Sequence, residues 1–511
     1  MPAPIAPLRP ARPAAHPLGA VAARLDRQTA GVAIDAAEHV LVTGIAHAAA
    51  AVVAGDLFIA RAGSAAHGAD YATEAARRGA VAVLTDPAGA ARARASGLPV
   101  LVENRLGSVI GPLSSWIYGD PSRQLAVLGV TGTSGKTTTT FLLEAGLRHA
   151  GMVTGLLGTV ETRIAGRTEP SVRTTPEAPE LQAALAVMLE RGATAVAMEV
   201  SSHALVLGRV DGTRFASAGF SNLSAEHLDF HADMDDYFAA KALLFDGRSA
   251  AEVVNVDDPW GRRLVGPGTV TVSAAGAAGA RWRAGPIGAD DRGSSFAAVG
   301  PDGGWTAVTL GLPGRFNVDN ALLALAMLDT VGVPVAEAAA AFAAVRVPGR
   351  LERVDGPGTP IRAYVDYAHK PAALEAVIAA LRPSTSGQLI VVVGCGGDRD
   401  RAKRPMMGDV AARGSDLVII TDDNPRSEDP TAIRSEIESG ARAAGAAPWT
   451  VVGDRGAAIA EAVRRARAGD TVLVAGKGHE QGQEVAGTVR PFDDRMVLRA
   501  ALADADAADP A

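Results

Sequence analysis

The chain has 511 residues, of which 48% are hydrophobic and 21% charged, and its net charge is −7. That length exceeds one compact core and predicts three domains of a folded, globular kind. Aromatics at 4% and the lack of a basic run argue against a stacking groove for nucleic acid, and the one cysteine, Cys395, excludes a disulfide framework or a cysteine-built zinc site.

Residues 1–20 are broken by prolines and hold no continuous apolar segment, so they read as a loose tail rather than a signal peptide. No apolar run is long enough to predict a membrane span, and the lone cysteine fits a reducing cytoplasm. From 21 to 122, short apolar runs such as "DLFIA" and "AVAVLTD" alternate with helical stretches, which predicts a small α/β domain. "YGDPSRQ" is a linker before the buried-strand pattern "LAVLGV". A central domain with a mainly parallel sheet is expected over 123–346, and "VRVPGRLERV" opens a third over 347–511. There "QLIVVVGCGGDRD", "SDLVIITDDNPR" and "DTVLVAGKGHE" each end an apolar run in a polar loop. Strands alternating with helices predict a Rossmann-like, doubly wound sheet, with these loops facing one crevice at the carboxyl ends of the strands.

The stretch "GVTGTSGKTTTT" lies between a buried-strand pattern and an amphipathic helix pattern ending at Gly151. The common phosphate-loop spacing would need glycine at Val130, and the glycines here are Gly129 and Gly132. The parts are nonetheless complete. Gly132, Thr133, Ser134 and Gly135 offer backbone amides at a helix start, Lys136 a point charge, and Thr137 and Thr138 hydroxyls, Thr137 being placed for Mg²⁺. A chance glycine-rich turn is the plainer alternative. Glu199, closing "AVAMEV", suits a Mg²⁺ seated on a nucleotide. His227 in "SNLSAEHLDFH" and Lys241 in "YFAAKALLF" read, by themselves, as an ordinary loop histidine and a solvated lysine.

The loop resembles that of the Mur ligases and their folylpolyglutamate synthetase relatives, and the resemblance runs from about residue 40 to 495. It implies a three-domain α/β enzyme: a small UDP-sugar-binding domain, a central P-loop ATPase-like domain and a Rossmann-like amino-acid-binding domain. It further implies an ATP-dependent ligase of peptidoglycan precursor synthesis, cytoplasmic and monomeric, using two Mg²⁺ ions. By the same resemblance His227 holds the second Mg²⁺, and Lys241 is carbamylated to an anion that supports it. Asn317 and Asn320 of "GRFNVDN" would contact adenine, where helix capping is the bland reading. Arg350 and Asp366 would meet phosphate and ribose, while Lys370 stands where the family more often has threonine.

The Asp-Asn-Pro-Arg sequence at Asp423, Asn424, Pro425 and Arg426 marks the family members that add meso-diaminopimelate to UDP-MurNAc-L-Ala-D-Glu. A guanidinium at Arg426 suits the distal carboxylate that separates diaminopimelate from lysine. Arg399, Gly476 and Glu480 match further amino-acid contacts, and a plain polar turn is the alternative for one such loop alone. Thr174, Thr175, Ser201 and Arg209 match the muramoyl-dipeptide end. In the first domain the family's Asp-Ser-Arg run is replaced by Ala48, Ala49 and Ala50, which predicts weaker hold on the uridine nucleotide. That replacement also motivates the competing reading of an ATP binder without ligase activity.

Overall fold

Apolar runs of β-branched residues become strands buried on both faces, the usual state of parallel sheets; in "LIVVV" (Leu389–Val393) every residue is buried. The computed structural model describes residues 7–29, 33–34, 39–63, 65–169, 171, 173–290, 292–356 and 360–508. Contacts divide the chain into one unit of Met1–Val272, Gly279–Arg281 and Leu323–Ala338, and a second of Ser273–Ala278, Trp282–Leu322 and Ala339–Ala511.

The first unit holds two sheets. The smaller runs in the order Ala33–Ile34, Val100–Val102, Ala82–Thr85, Asp56–Ala60, Gly44–Ala46, with all but the first strand parallel. In the larger, Thr154–Leu157, Ala195–Glu199, Ala126–Thr131, Ser217–Phe220, Glu252–Asn255 and Val270–Ser273 are parallel neighbours in that order. An antiparallel hairpin, Thr162–Ile164 with Arg167–Glu169, extends its edge at Thr154–Leu157. The two sheets share apolar packing: Ala178, Ala183 and Ala186 of the helix Ala178–Glu190 join the core of Leu18, Ile45, Leu57 and Leu113. That shared core explains why the first 272 residues form one unit.

The second unit carries a sheet ordered Glu352–Arg353, Arg362–Asp366, Thr471–Ala475, Leu389–Val393, Leu417–Ile420, Trp449–Val451, parallel except for the first strand. Separate apolar cores cover its two faces, as a doubly wound sheet requires. It also holds an antiparallel meander, Trp282–Ala289, Ser294–Val299 and Trp305–Leu310, which the sequence reading did not foresee. Its first strand is mostly half-buried or exposed and contains two glycines and a proline, so it lacks a clear period of two.

The expectation of a loose tail over 1–20 is corrected where it can be seen; residues 1–6 lie outside the described residues. Arg9 makes an ion pair with Asp56 at 2.8 Å. The amides of Ala11 and Arg12 donate to Glu190 at 2.8 and 3.0 Å. His16–Pro17 pairs with Leu41–Val42, and Leu18 begins a helix. The prolines prevent regular structure before residue 16 without preventing anchoring, because a guanidinium and two free amides find carboxylates. Among the described residues no helix is long and apolar enough to cross a membrane.

Candidate active site

The strand Ala126–Thr131 turns into the helix Lys136–His149 through Gly132 and Gly135, whose φ values are +145° and +87°. A Cβ on Gly132 would lie 1.9 Å from Ser221 Oγ, so the neighbouring strand end leaves room for backbone only. Ser221 and Asn222 brace the loop. Ser221 Oγ donates to Ser134 O at 2.7 Å, Asn222 O accepts from Thr133 N at 2.8 Å, and Asn222 Oδ1 accepts from Ser134 N at 3.0 Å. Thr137 and Thr138 are buried in the first turn of the helix.

Two ammonium groups converge on this loop. Lys136 Nζ donates to Gly132 O at 2.8 Å and Thr133 O at 3.0 Å, and Lys241 Nζ donates to the same Gly132 O at 2.9 Å. Lys241 is 1% exposed and lies 4.6 Å from the centre of the Tyr237 ring. It is therefore not the solvated helix lysine that its local sequence suggests. Burial and the Glu226 carboxylate push the Tyr237 phenol upward, so it stays a neutral hydroxyl beside Thr133 Oγ1 at 3.2 Å.

Glu199 ends its strand opposite Val130 and is 1% exposed. Its carboxylate accepts from Thr159 N at 2.8 Å and Thr159 Oγ1 at 3.1 Å, and Thr159 Oγ1 lies 2.9 Å from Thr174 Oγ1. Thr175 Oγ1 donates to Glu199 O at 2.9 Å and accepts from Ser201 N at 3.1 Å. Arg209 pairs with Glu177 at 2.9 Å, and burial lowers its pKa. The structure thus ties Glu199 to Thr174 through Thr159, Thr175 directly to Glu199 and Ser201, and Arg209 to Glu177 and Thr175 O. Thr159 and Glu177 were missed by the sequence reading, because a threonine and a glutamate in polar loops carry no local signal.

His227 adopts φ +56° and its Nε2 is 3.4 Å from Glu226 Oε1. Its ring meets His203 edge-on at 4.7 Å. Among the described residues no group of three or more His, Cys, Asp or Glu side chains could hold a metal by itself. Thr137, Glu199 and His227 offer oxygen and nitrogen donors that suit Mg²⁺ only as the partial shell of an ion that also takes phosphate and water oxygens, and the Lys241 ammonium, a donor with no lone pair, is no ligand in this form. The glycine cradle and the helix start fit a nucleotide phosphate.

The alanine run forms a short 3₁₀ turn, Ala49–Ala51, with no polar side chain to offer. Nearby, a cavity of about 460 Å³ is lined by Arg61, Asp86, Asn104, Arg105 and Ser108.

In the second unit, Asn317 Nδ2 donates to Pro313 O at 2.7 Å and Asn320 Nδ2 to Asn317 Oδ1 at 3.1 Å, at the start of the helix Arg315–Thr330. These are local contacts within the helix start; neither side chain accepts a backbone N–H among the described residues, so they are not caps. Arg350 lies 4.5 Å from the Tyr367 ring centre, and the buried Asp366 accepts from Leu351 N at 2.6 Å and Ala368 N at 2.7 Å. Burial pushes the Asp366 carboxyl up, against the pull of Arg350. Lys370 precedes the helix Pro371–Leu381 and makes no side-chain cap; nothing in the structure explains its replacement of threonine.

The three loops expected to share a crevice leave adjacent strands, Thr471–Ala475, Leu389–Val393 and Leu417–Ile420. Arg426 has φ +53°, and its Nη1 donates to Gly397 O at 2.6 Å. A Cβ on Gly396 would meet Arg426 Nη1 at 2.9 Å and Arg399 Cγ at 3.9 Å, so both arginines border one glycine turn. Asn424 is held from two sides: Nδ2 donates to Glu480 Oε2 at 2.8 Å, and Oδ1 accepts from Lys477 Nζ at 3.0 Å. Asp423 packs against Gly476, where a Cβ would lie 2.6 Å from Asp423 Oδ2. Pro425 O backs Gly397, at 1.9 Å from a Cβ placed there.

Sequence reasoning missed Lys477, which is fully buried, and Arg404. Arg404 is also fully buried, pairs with Glu428 at 2.8 Å and Glu436 at 2.9 Å, and donates to Gly396 O at 3.3 Å. It props the turn that Arg399 and Arg426 border. The Arg404 guanidinium holds the Glu428 carboxyl down, at about 2.

Comparison with known proteins decides the family. Residues 41–109 match the model described as Mur ligase family, catalytic domain; 130–328 match Mur ligase middle domain; 349–478 match Mur ligase, glutamate ligase domain. The chain belongs to the Mur ligase family. Among its relatives, UDP-N-acetylmuramoyl-L-alanyl-D-glutamate--2,6-diaminopimelate ligase of Streptomyces avermitilis is 54% identical over 97% of this chain and 98% of the relative. The protein so named from Corynebacterium efficiens is 50% identical over 87% of each chain. A solved structure of a ligase of that name is 32% identical with a TM-score of 0.65, covering 91% of this chain and 95% of that one. A Mur ligase of Thermotoga maritima solved with ADP, at 18% identity and a TM-score of 0.62, shares the fold. The three-domain α/β architecture of the Mur ligases fits these sheets.

Proposed function

We propose that this chain is an ATP-dependent acid–amino-acid ligase that joins meso-diaminopimelate to the D-glutamate of UDP-MurNAc-L-Ala-D-Glu in peptidoglycan precursor synthesis. The observation that carries the reading is the meeting of Arg399 and Arg426 at the Gly396 turn, beside an Asn424 fixed by Lys477 and Glu480. Two guanidiniums suit the carboxylates of diaminopimelate, and Asp423 and Glu480 suit its ammonium groups. Lysine has no distal carboxylate and would leave Arg426 without its ligand.

In this reading the amides at the start of the helix Lys136–His149 and the Lys136 ammonium gather charge on the outer phosphates of ATP. Thr133 and Ser134 give their amides to Asn222 and serve to shape the loop. Thr137 and Glu199 would hold one Mg²⁺, His227 and a carbamylated Lys241 would support a second, and the ions would neutralise phosphate charge. Two ammonium groups on one carbonyl favour conversion of Lys241 to the carbamate, which replaces repulsion with attraction. Asn317 and Asn320 face adenine, and Arg350 and Asp366 take phosphate and ribose. Thr174, Thr175, Ser201 and Arg209 hold the dipeptide end. The glutamate carboxylate oxygen attacks the γ-phosphorus and ADP leaves, giving an acyl phosphate. The diaminopimelate amine attacks the acyl carbon, loses a proton, and phosphate departs.

The reading includes three domains, 21–122, 123–346 and 347–511, a cytoplasmic location and a monomer. Each domain's own sheet supports the first of these. Arg61, Asn104 and Arg105 stand in the first domain's cavity to take over from the missing Asp-Ser-Arg side chains. The test is isotopic. With ¹⁸O in the D-glutamate carboxylate, the released phosphate carries one ¹⁸O if the acyl phosphate forms; phosphate without label contradicts the mechanism.

A further inference from the structure

At the amino ends of the central strands the first unit contains a second cavity, of about 530 Å³, lined by Arg24, Ser115, Asp120, Arg123, Arg214 and Arg248. Arg123 precedes the strand Ala126–Thr131, Arg214 precedes Ser217–Phe220, and Arg248 precedes Glu252–Asn255. The nucleotide loop follows the other end of Ala126–Thr131, where Glu199 ends the neighbouring parallel strand, a strand length of about 20 Å away. The cavity is therefore separate from the site described above.

Its charge is one-sided in a chain whose net charge is −7. Arg248 is satisfied by Asp246 at 2.7 Å and Asp211 at 3.3 Å. Arg24, Arg123 and Arg214 make no side-chain hydrogen bond or ion pair with any described residue, and Arg24 Nε is buried without an acceptor. Asp120 is the one carboxylate in the lining, and its Oδ1 already accepts from Ser115 Oγ at 2.9 Å. The frame is rigid: a Cβ on Gly111 would lie 2.3 Å from Asp211 O, so the helix Leu106–Ile117 packs backbone to backbone against the loop carrying Gly212 to Arg214. A buried donor without an acceptor is costly, and planar guanidiniums match tetrahedral oxyanions with paired hydrogen bonds.

We infer that this cavity binds a phosphate-type oxyanion, either free phosphate or the polyphosphate group of a small metabolite. The anion bridges Arg24 of the helix Leu18–Thr29 to Arg123 and Arg214 at the foot of the central sheet. Ligand binding to the folded state alone then raises thermal stability.

The test titrates inorganic phosphate and, separately, pyrophosphate into the full-length protein by calorimetry, with melting temperature followed in parallel. Variants are Lys136→Ala, which weakens the nucleotide loop, Arg24→Gln, Arg24→Lys and Arg214→Gln. A saturable pyrophosphate site that persists in Lys136→Ala is expected. It should weaken at least tenfold in both glutamine variants and largely return in Arg24→Lys, with the thermal shift following the same pattern. Arg214 is exposed, so Arg214→Gln serves if Arg24→Gln does not fold, and its ligase rate without added anion should equal that of the unaltered protein. Equal affinity for both anions identifies free phosphate as the source, and tighter pyrophosphate identifies a polyphosphate group. Binding lost in Lys136→Ala, binding indifferent to Arg24 and Arg214, or no saturable binding overturns the inference.

Discussion

Arg426 reaches its place through a left-handed backbone and a hydrogen bond to Gly397 O, so its guanidinium is aimed before any ligand arrives. Replacing it with lysine keeps a charge but loses the planar fork, and two charge-assisted hydrogen bonds are worth about 3–6 kcal/mol together. Arg426→Lys should therefore lower kcat/KM for meso-diaminopimelate by about 10²- to 10⁴-fold while leaving ATP binding unchanged, as steady-state kinetics and nucleotide titration would show. His479, in the loop after the strand Thr471–Ala475, has its imidazole pushed down to about 4 by burial, with Arg350 and Arg495 adding to the effect. Its folded pKa lies below the ordinary 6.5, so the unfolded chain binds more protons between those values and stability falls as pH drops from about 6.5 toward 4. The loss, a few kcal/mol at most, should shrink in His479→Gln when melting temperature is followed from pH 7 to 4.5. The strand-end loop that carries Arg426 was legible in the sequence because its pattern is local. Lys477 and Arg404 were not, because a fully buried cation and a solvated one look alike until remote partners, Asn424 for Lys477 and Glu428 and Glu436 for Arg404, are brought to them.

The helices Lys403–Gly414 and Pro430–Ala444 show the same dependence on long-range packing at the scale of elements. Arg404, buried in the first, joins Glu436 of the second and Glu428 just before it. Arg404→Met leaves two carboxylates facing each other and frees the Gly396 carbonyl. Both glutamates are partly exposed, so the expected loss of stability is near the lower end of the ~3–5 kcal/mol of a broken buried pair. Denaturant unfolding measures it, and KM for diaminopimelate should rise with it because the Arg399–Arg426 turn loses its prop. An unchanged KM in a destabilised protein would make Arg404 purely structural. The strand-then-loop design of this unit was readable from apolar runs ending in glycine and polar residues. The meander over 282–310 was not, because an exposed strand with glycine and proline carries no strong period.

For the whole molecule, strand and helix alternation was enough to give an α/β protein with mainly parallel sheets. It gave no sign that the first two sheets share a core through Ala178, Ala183 and Ala186, since alanines on a helix look the same whichever surface covers them. Prolines concealed the anchoring of residues 9–17, where the partners Asp56 and Glu190 are remote in sequence. The same limit applies to the alanine run: the sequence shows what is missing at Ala48–Ala50, and only the folded chain shows Arg61 and Arg105 lining one cavity. All of this bears on a single claim, that the chain couples ATP cleavage to addition of meso-diaminopimelate. The measurement is phosphate release with ATP, Mg²⁺ and UDP-MurNAc-L-Ala-D-Glu, with meso-diaminopimelate, L-lysine or no amino acid added, and the product read by mass spectrometry. Release and tripeptide with diaminopimelate alone are predicted; equal release with lysine, or ATP binding with no release in any reaction, would contradict the account.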